Sequence, residues 1–381
     1  MGNADNKNVS NERNSLLDIV KAIMILAVVI YHLIYRKQAG VIDRIIREFI
    51  YISIPLFVLL AGYFHREKGG PLILGIGRRM KKIALPSILT TGVMLLVFGP
   101  YYMMVHGYTT KDWLCDSLMN YLRPEMMATM YPNYTGGTLF NNLSPVWFIW
   151  ALVFATLVFV IALRIVRGKG EEAGVKGMII AMVILVVIGS ILYAVVPALS
   201  WSLQMAPLYA GIMMLGLIIR KCNVLEKLEN INLGVSTLIM LAVWALHFVI
   251  FTFIGSDLMY MSILGKQNFI TAIFFVIEVL MGGFVFFTFA RYISLFGPLK
   301  DAFSWIGRHT LVILLVHCLI GGITADILHT YNKPGPDWYV NPLPVIVVVK
   351  SWVTFLVAMA GSIELAVLND KLKIIYGAHK K

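Results

Sequence analysis

Long apolar runs separated by short polar or Gly/Pro-containing breaks dominate the pattern of this chain. A helix that spans a bilayer needs about 20 mostly apolar residues, and the sequence offers about ten such runs. The pattern therefore predicts an all-α integral membrane protein with about ten transmembrane helices. We place them near residues 15–36, 46–64, 83–105, 146–166, 177–197, 201–219, 234–254, 268–290, 308–328 and 343–366.

The composition supports the same class of protein. Of the 381 residues, 59% are hydrophobic and only 14% are charged. The mean hydropathy of +0.81 lies outside the range of ordinary soluble domains. A soluble enzyme or a nucleic-acid-binding domain is therefore excluded as the general class.

Lysine and arginine predict how the chain is oriented, because short loops rich in these residues stay in the cytoplasm. With the N-terminus inside, the predicted inner loops are 65–82, 164–176, 220–230 and 291–308. Together with both tails, these loops hold roughly two thirds of the Lys and Arg residues, so both termini are expected to be cytoplasmic. The first outer loop departs from this pattern, since it also carries basic residues: Arg36, Lys37, Arg44 and Arg47.

This orientation divides the chain into three parts. We expect a cytoplasmic tail at 1–14, a single transmembrane domain at 15–366 and a cytoplasmic tail at 367–381. The net charge of +12 is then mostly a signal of topology, and it implies no nucleic-acid partner.

Two ionisable residues, Lys21 and His32, lie in the first predicted helix. About three helical turns separate them, which places both on one face and about 16 Å apart along the axis. Asp18 precedes Lys21 by one turn and can pair with it. Charged groups inside a bilayer are unfavourable by about 2.5–3.5 kcal/mol each, so a shared face predicts a lined pathway. Taken separately, Lys21 would be a snorkelling interface lysine and His32 a packing histidine.

Five motifs follow one another along the chain. They are RNSLLDIVKAIMILAVVIYHLIYR with Leu17, Asp18, Lys21 and His32; ISIPLFVLLAGYFHR with Pro55, Leu56, Phe57, Gly62 and Tyr63; RRMKKIALP; SPVWFIWAL; and IGRHTLVILLVH, which ends in His317. Together they resemble the family-3 membrane acyltransferases, a family of about ten helices. The chain departs from that pattern at Lys21 and Ala61, where the family often has Arg and Ser.

The resemblance implies a function and a location. Members of this family transfer an acyl group from cytoplasmic acyl-CoA to an acceptor outside the membrane, often a hydroxyl of a surface or cell-wall polysaccharide. We therefore expect a multi-pass plasma-membrane transferase that uses acyl-CoA, with acetyl-CoA as the expected donor, for O-acetylation at the cell surface. Residue usage also hints at a bacterial source.

The resemblance and the chemistry together suggest roles for particular residues. A basic cluster is expected to bind the CoA phosphates as well as to hold its loop inside the cell: Arg78, Arg79, Lys81 and Lys82. His32 is expected to take the proton from the attacking hydroxyl, because an ordinary histidine has a pKa of about 6.5. Asp18 would orient Lys21, and Lys21 would contact CoA or set the charge of the pathway.

A further group of residues is expected to line a tunnel or the acceptor site: His317, Tyr63, Trp147 and Glu278. For His317, a purely structural hydrogen-bonding role is an equal alternative, and Glu278 can equally be a packing partner. Direct transfer and a covalent acyl-enzyme both remain compatible with the sequence.

The three cysteines, Cys115, Cys222 and Cys318, are predicted in an outer loop, an inner loop and a helix. They cannot pair, so the sequence indicates no disulfide framework and no metal site. The expected partners are membrane lipid, acyl-CoA and an extracytoplasmic hydroxyl or amine compound, and a homodimer is compatible with the sequence.

The alternative function is a transporter or flippase for a small substrate, for example an amino acid such as serine. This alternative arises because the membrane part of vancomycin-resistance serine racemases also resembles the family. The chain would then be the membrane portion of a longer protein.

Overall fold

The computed structural model describes residues 15–33, 41–66, 72–106, 109–112, 146–167, 174–196, 199–254, 269–328 and 345–378. Some helical positions within these ranges have side chains outside the described part, among them Arg78, Arg79 and Trp147. Throughout the described ranges, every regular element is a helix, as the hydrophobic pattern predicts.

The helices follow one another in chain order. They are α1 (Ser15–Leu33), α2 (Val41–Tyr63), α3 (Leu72–His106), α4 (Val146–Arg167), α5 (Val175–Val195), α6 (Ala206–Lys221), α7 (Val224–Glu229), α8 (Leu233–Ile254), α9 (Phe269–Ser294), α10 (Gly297–Arg308), α11 (Thr310–Ile327) and α12 (Val345–Ala378). A single helical turn at Thr110–Asp112 and a 3-10 helix at Ser200–Met205 complete the described elements.

Six helical segments in the described part are long and apolar enough to cross a membrane. They are Phe148–Arg167, Val175–Val195, Leu203–Lys221, Phe275–Ser294, Thr310–Ile327 and Val348–Leu372. Two shorter apolar segments, Ile52–Tyr63 and Leu233–Leu246, accompany them. The total of about ten spans and the cytoplasmic position of both termini remain predictions.

The largest differences from the predicted helices lie in three regions. α3 begins at Leu72 rather than near residue 83, so the prediction of a loop at 65–82 is wrong for its second half. The predicted inner loop 291–308 contains helix α10, which opens with Pro298 in its first turn. α12 continues to Ala378, beyond the predicted end at residue 366. Hydropathy marks the apolar length of a helix, whereas the helical backbone continues through flanking polar residues.

The predicted break between the fifth and sixth runs is present. α5 ends at Val195, and Val196 adopts an extended conformation. The backbone N–H of Leu199 then donates to the side-chain oxygen of Gln204 at 3.1 Å, which satisfies a donor ahead of the 3-10 helix. α5 and α6 are therefore two separate helices, although hydropathy alone shows one nearly continuous apolar run.

α1 lies at the centre of the bundle. It packs against α2, α9, α10, α11 and α12. Apolar side chains around its circumference are fully buried: Ile19, Ala22, Met24, Ile25 and Val29. A helix that is hydrophobic on every side is typically buried, so Lys21 and His32 lie on an interior helix of the protein.

α2 and α6 approach each other closely through glycines. A Cβ atom on Gly62 would lie 1.9 Å from the carbonyl oxygen of Met213, and one on Gly216 would lie 2.0 Å from that of Leu59. Only glycine permits this backbone approach, which is a common packing device between membrane helices. The contact fixes the end of α2, where Tyr63 lies.

α5 presents an apolar outer face. Its exposed side chains are Ile180, Val183, Ile184, Val187, Ile188 and Ile191. Soluble proteins rarely expose a contiguous patch of this kind, whereas a helix in contact with lipid does so over its full length. This face is therefore suited to the bilayer.

Candidate active site

Asp18 and Lys21 form an ion pair one turn apart on α1. Lys21 Nζ lies 2.6 Å from Asp18 Oδ1. The Asp18 side chain is 4% exposed and that of Lys21 is 18% exposed, so the carboxylate is buried behind an ammonium that reaches the surface. The predicted local pairing is confirmed, and it gives the buried carboxylate the counter-charge that it requires.

The ring of Phe64, the residue after α2, lies beside this ion pair. Lys21 Nζ lies 5.6 Å from the centroid of the Phe64 ring, within the range of a cation–π contact. Tyr63 packs edge-on against Phe64, with 5.4 Å between ring centroids. We call this end of the bundle the Lys21 end, and the opposite end of α1 the His32 end. Tyr63 thus lies at the Lys21 end.

α10 presses directly on the backbone beside the ion pair. A Cβ atom on Gly307 would lie 1.8 Å from the carbonyl oxygen of Asp18. Two residues later, His309 Nδ1 lies 2.8 Å from the Trp305 carbonyl oxygen, and His309 Nε2 lies 2.6 Å from Asp370 Oδ2. The contact between His309 and Asp370 connects the junction of α10 and α11 to α12. Sequence reasoning missed it, because 61 residues separate the two side chains.

At the His32 end, two histidines from different helices meet. His32 Nδ1 lies 3.0 Å from His317 Nε2, although 285 residues separate them along the chain. The ring centroids are 5.1 Å apart. His317 is fully buried and His32 is half-buried. The sequence placed both residues on candidate pathway helices but did not predict that they touch.

The hydrogen-bond partners of His317 determine where its proton lies. His317 Nδ1 lies 2.8 Å from the Ile313 carbonyl oxygen, which can only accept, so Nδ1–H is the donor. In the neutral ring, Nε2 then carries the lone pair and accepts the hydrogen bond from Nδ1–H of His32. A neutral His32 with its hydrogen on Nδ1 has its lone pair on Nε2. This pairing favours the tautomer of His32 whose lone pair on Nε2 can act as a base.

A thiol completes this group. Cys318 Sγ lies 3.2 Å from His317 Nε2, and the thiol is buried. One ligand atom from each of His32, His317 and Cys318 lies within 4.8 Å of the others. Two imidazoles and a thiol are ligands that zinc and similar ions accept. Sequence reasoning treated Cys318 as a lone helical cysteine and missed this neighbourhood.

The remaining predicted site residues lie elsewhere or outside the described side chains. Lys81 and Lys82 are exposed on α3. Glu278 is buried within α9, as expected for a carboxylate in a membrane helix. The side chains of Arg78, Arg79 and Trp147 lie outside the described part of the chain. The functional roles suggested for all of these residues remain predictions.

Comparison with known proteins supplies the family. Residues 14–367 match the protein-family model described as an acyltransferase domain, Acyl_transf_3. The chain belongs to this acyltransferase family. No curated protein and no solved structure matches it significantly.

Family membership and fold together establish the general class of the protein. In the described part of the chain, six helices are long and apolar enough to span a membrane, and the acyltransferase domain covers nearly the whole chain. The protein is a multi-pass membrane acyltransferase.

Proposed function

We propose that this acyltransferase moves an acyl group, most simply acetyl, from acyl-CoA at the Lys21 end to an acceptor at the His32 end. The acceptor is a hydroxyl, or an amine, of an extracytoplasmic compound such as a cell-surface glycan. The protein resides in the plasma membrane with its Lys21 end in the cytoplasm. The observation that carries the proposal is the hydrogen bond from His32 to His317.

This hydrogen bond prepares His32 for proton transfer. A general base must present a lone pair, and in a histidine the ring nitrogen that carries the hydrogen cannot serve. The chain from the Ile313 carbonyl through His317 to His32 puts the lone pair of His32 on Nε2. The second histidine also stabilises the imidazolium that forms, because it accepts from the ring as positive charge develops.

The Lys21 end suits an anionic donor. An ammonium can donate three hydrogen bonds, and Asp18 accepts one of those of Lys21. Lys81 and Lys82 add exposed positive charge on α3, and phosphates are the groups that such charge attracts. The pantetheine arm of CoA is roughly as long as the Lys21–His32 separation of about 16 Å along α1. Phosphates at the Lys21 end would therefore place the thioester near His32.

The distribution of basic residues supports a cytoplasmic Lys21 end. Helices that end there carry arginine in their last turns, at Arg164 and Arg167 of α4, Arg220 of α6 and Arg308 of α10. An excess of Lys and Arg is typical of the cytoplasmic side of a membrane protein. Acyl-CoA is made on that side, so the proposed orientation gives the donor access to the ion pair.

In the proposed step, His32 acts as the general base for attack on the thioester. The acceptor oxygen attacks the thioester carbonyl while its proton passes to Nε2 of His32. A carbon–oxygen bond forms, the carbon–sulfur bond of acyl-CoA breaks, and the CoA thiolate leaves with the proton returned from His32. Lys21 holds the donor and takes no part in the proton transfer.

The decisive experiment compares wild type and His32→Gln in sealed membrane vesicles of both orientations, with acetyl-CoA labelled in the acetyl group. Transfer of label to membrane or luminal material is expected only when acetyl-CoA reaches the Lys21 end. His32→Gln should lower transfer by about 10²–10⁴-fold, the usual contribution of a positioned base, with an unchanged unfolding temperature. Normal transfer by His32→Gln would refute the role of His32. Substrate uptake by the wild type without CoA would instead establish a transporter.

A further inference from the structure

We infer that His32, His317 and Cys318 form a binding site for a soft divalent cation of the zinc class. Two imidazoles and one thiol meet at the His32 end of the bundle. These are the ligand types that Zn²⁺ prefers in proteins. Acyl transfer needs no thiol at this position, so the proposed function leaves Cys318 unexplained.

Two separations between ligand atoms are close to those around a tetrahedral ion. With Zn–N of about 2.0–2.1 Å and Zn–S of about 2.3 Å, tetrahedral ligands lie about 3.3 Å (N to N) and about 3.6 Å (N to S) apart. The observed separations are 3.0 Å between His32 Nδ1 and His317 Nε2, and 3.2 Å between His317 Nε2 and Cys318 Sγ. The three ligand atoms all lie within 4.8 Å of one another. The two separations that involve His317 Nε2 are therefore within a few tenths of an ångström of their tetrahedral values, and a small approach of His32 and Cys318 completes the three-ligand set.

The surroundings of His317 are also those of a metal ligand. A ligating histidine usually donates its second ring N–H to a carbonyl or carboxylate, which fixes the ring and its tautomer. His317 does this through the hydrogen bond from Nδ1–H to the Ile313 carbonyl at 2.8 Å. Its Nε2 thus faces the other two ligand atoms before any ion arrives. His317 and Cys318 are both buried, so their orientation is held by packing.

Binding of the ion changes the protons at the site. The thiol of Cys318 loses its proton to solvent as the metal–sulfur bond forms. His32 coordinates through Nδ1, and its hydrogen moves to Nε2. The fourth position of the ion remains for water.

This change makes the ion an inhibitor, a consequence that rests on the proposed function. His32 with its hydrogen on Nε2 has no lone pair there to accept a proton from the acceptor hydroxyl. Zn²⁺ should therefore stop acyl transfer reversibly, and a chelator should restore it. The binding site itself stands independently of the reaction.

The experiment is a titration of the purified full chain with Co²⁺, followed by displacement with Zn²⁺. Tetrahedral Co²⁺ bound to a thiolate gives visible bands and a sulfur-to-metal charge-transfer band. One equivalent should bind with both features, and Zn²⁺ should abolish them. Cys318→Ser should lose the charge-transfer band and weaken binding by at least roughly a hundredfold, since loss of a ligand exceeds the effect of a supporting contact. His317→Gln should also weaken binding.

Cys222→Ser is the matched control, because Cys222 is a partly exposed free thiol on the short connection between α6 and α7. Its spectrum should equal that of the wild type. A wild-type chain that keeps its normal unfolding temperature and shows no charge-transfer band would overturn the site. A band that survives Cys318→Ser would do the same. These spectra need no acyl transfer, so a failure of the metal site is distinguishable from a failure of the proposed function.

Discussion

The two ends of α1 hold their ionisable side chains in opposite ways. At the Lys21 end, an ion pair forms within a single helix, next to an exposed aromatic ring, and its ammonium reaches the surface. At the His32 end, two imidazoles from distant parts of the chain meet, and one of them is fully buried. The first arrangement keeps a charge accessible, whereas the second keeps a neutral base in one tautomer.

This difference suggests how one helix can serve two tasks. A charge near water can attract a phosphate or carbonyl group of a soluble donor without a large desolvation cost. A half-buried neutral imidazole, such as His32 beside the fully buried His317, can accept a proton where access of water is limited. Binding and proton transfer would then depend on different residues, and variants at the two ends should have separable effects.

After the loss of His32 itself, the largest effect is expected from removing the hydrogen-bond acceptor of His32. His317→Leu removes Nε2, so nothing from residue 317 fixes the tautomer of His32. Loss of a buried hydrogen bond costs about 1–3 kcal/mol, which corresponds to a kcat lower by roughly five- to 150-fold. The KM for acetyl-CoA should change little.

His317→Gln provides the control for this change, because its amide oxygen can still accept from His32. Its kcat should lie clearly above that of His317→Leu. Equal losses in both variants would mean that His317 acts by packing and not through the hydrogen bond.

The next effect concerns donor binding at the Lys21 end. Lys21→Met should raise the dissociation constant of acetyl-CoA about tenfold, the equivalent of one charge-assisted contact of about 1.4 kcal/mol. Lys21→Arg should bind nearly as well as the wild type, because it retains the positive charge. Isothermal titration measures both.

A stability control accompanies this prediction. Lys21→Met removes the positive charge that neutralises the buried Asp18 carboxylate, so the single variant should unfold more readily than the double variant with Asp18→Asn. Acetyl-CoA binding that is unchanged in Lys21→Met would remove Lys21 from the donor site.

The smallest expected effect is the loss of stability when a glycine that packs against either end of α1 is replaced by alanine. Gly307→Ala would push a Cβ atom against the Asp18 backbone, whereas the neighbour of Gly321 is the end of the flexible Leu33 side chain, at 2.4 Å. Overpacking costs about 1–3 kcal/mol where the neighbour cannot move. Gly307→Ala should therefore destabilise the protein more than Gly321→Ala in detergent unfolding.

Gly92→Ala is the control for both glycine variants, because no described atom beyond its own turn of helix lies within 4 Å of its added Cβ. Alanine is the better helix former by about 1 kcal/mol, so this variant should be neutral or stabilising. A larger destabilisation from Gly321→Ala than from Gly307→Ala would show that the His32 end is the more rigid one.

The contrast between the two pairs also shows what a sequence can predict about a site. Asp18 and Lys21 are three positions apart on one helix, so helix geometry alone brings them together. The contact between His32 and His317 depends on which face of α11 turns towards α1. Hydropathy predicts the depth of a residue in its helix, but neither the neighbour of the helix nor its rotation. The same limit hid Cys318 from sequence reasoning.

The fold itself was predictable at the level of helices. Apolar length predicted the six segments of the described part that are long and apolar enough to span a membrane, while the extensions of α3 and α12 and the whole of α10 escaped prediction. These stretches are polar enough to leave the apolar core of a membrane yet remain helical, so hydropathy alone cannot define their ends. α10 matters for function, since Gly307 packs against the backbone of Asp18.

We propose that the Lys21 end of α1 binds the donor and that the His32 end transfers the proton. The most direct measurement is acetyl-CoA affinity and acetyl transfer in the same preparation, for wild type, Lys21→Met and His32→Gln. The account predicts that Lys21→Met binds acetyl-CoA weakly but transfers normally at saturation, and that His32→Gln binds normally but does not transfer. If His32→Gln weakens acetyl-CoA binding as much as it lowers transfer, or if Lys21→Met loses transfer at saturation, the division between the two ends is wrong.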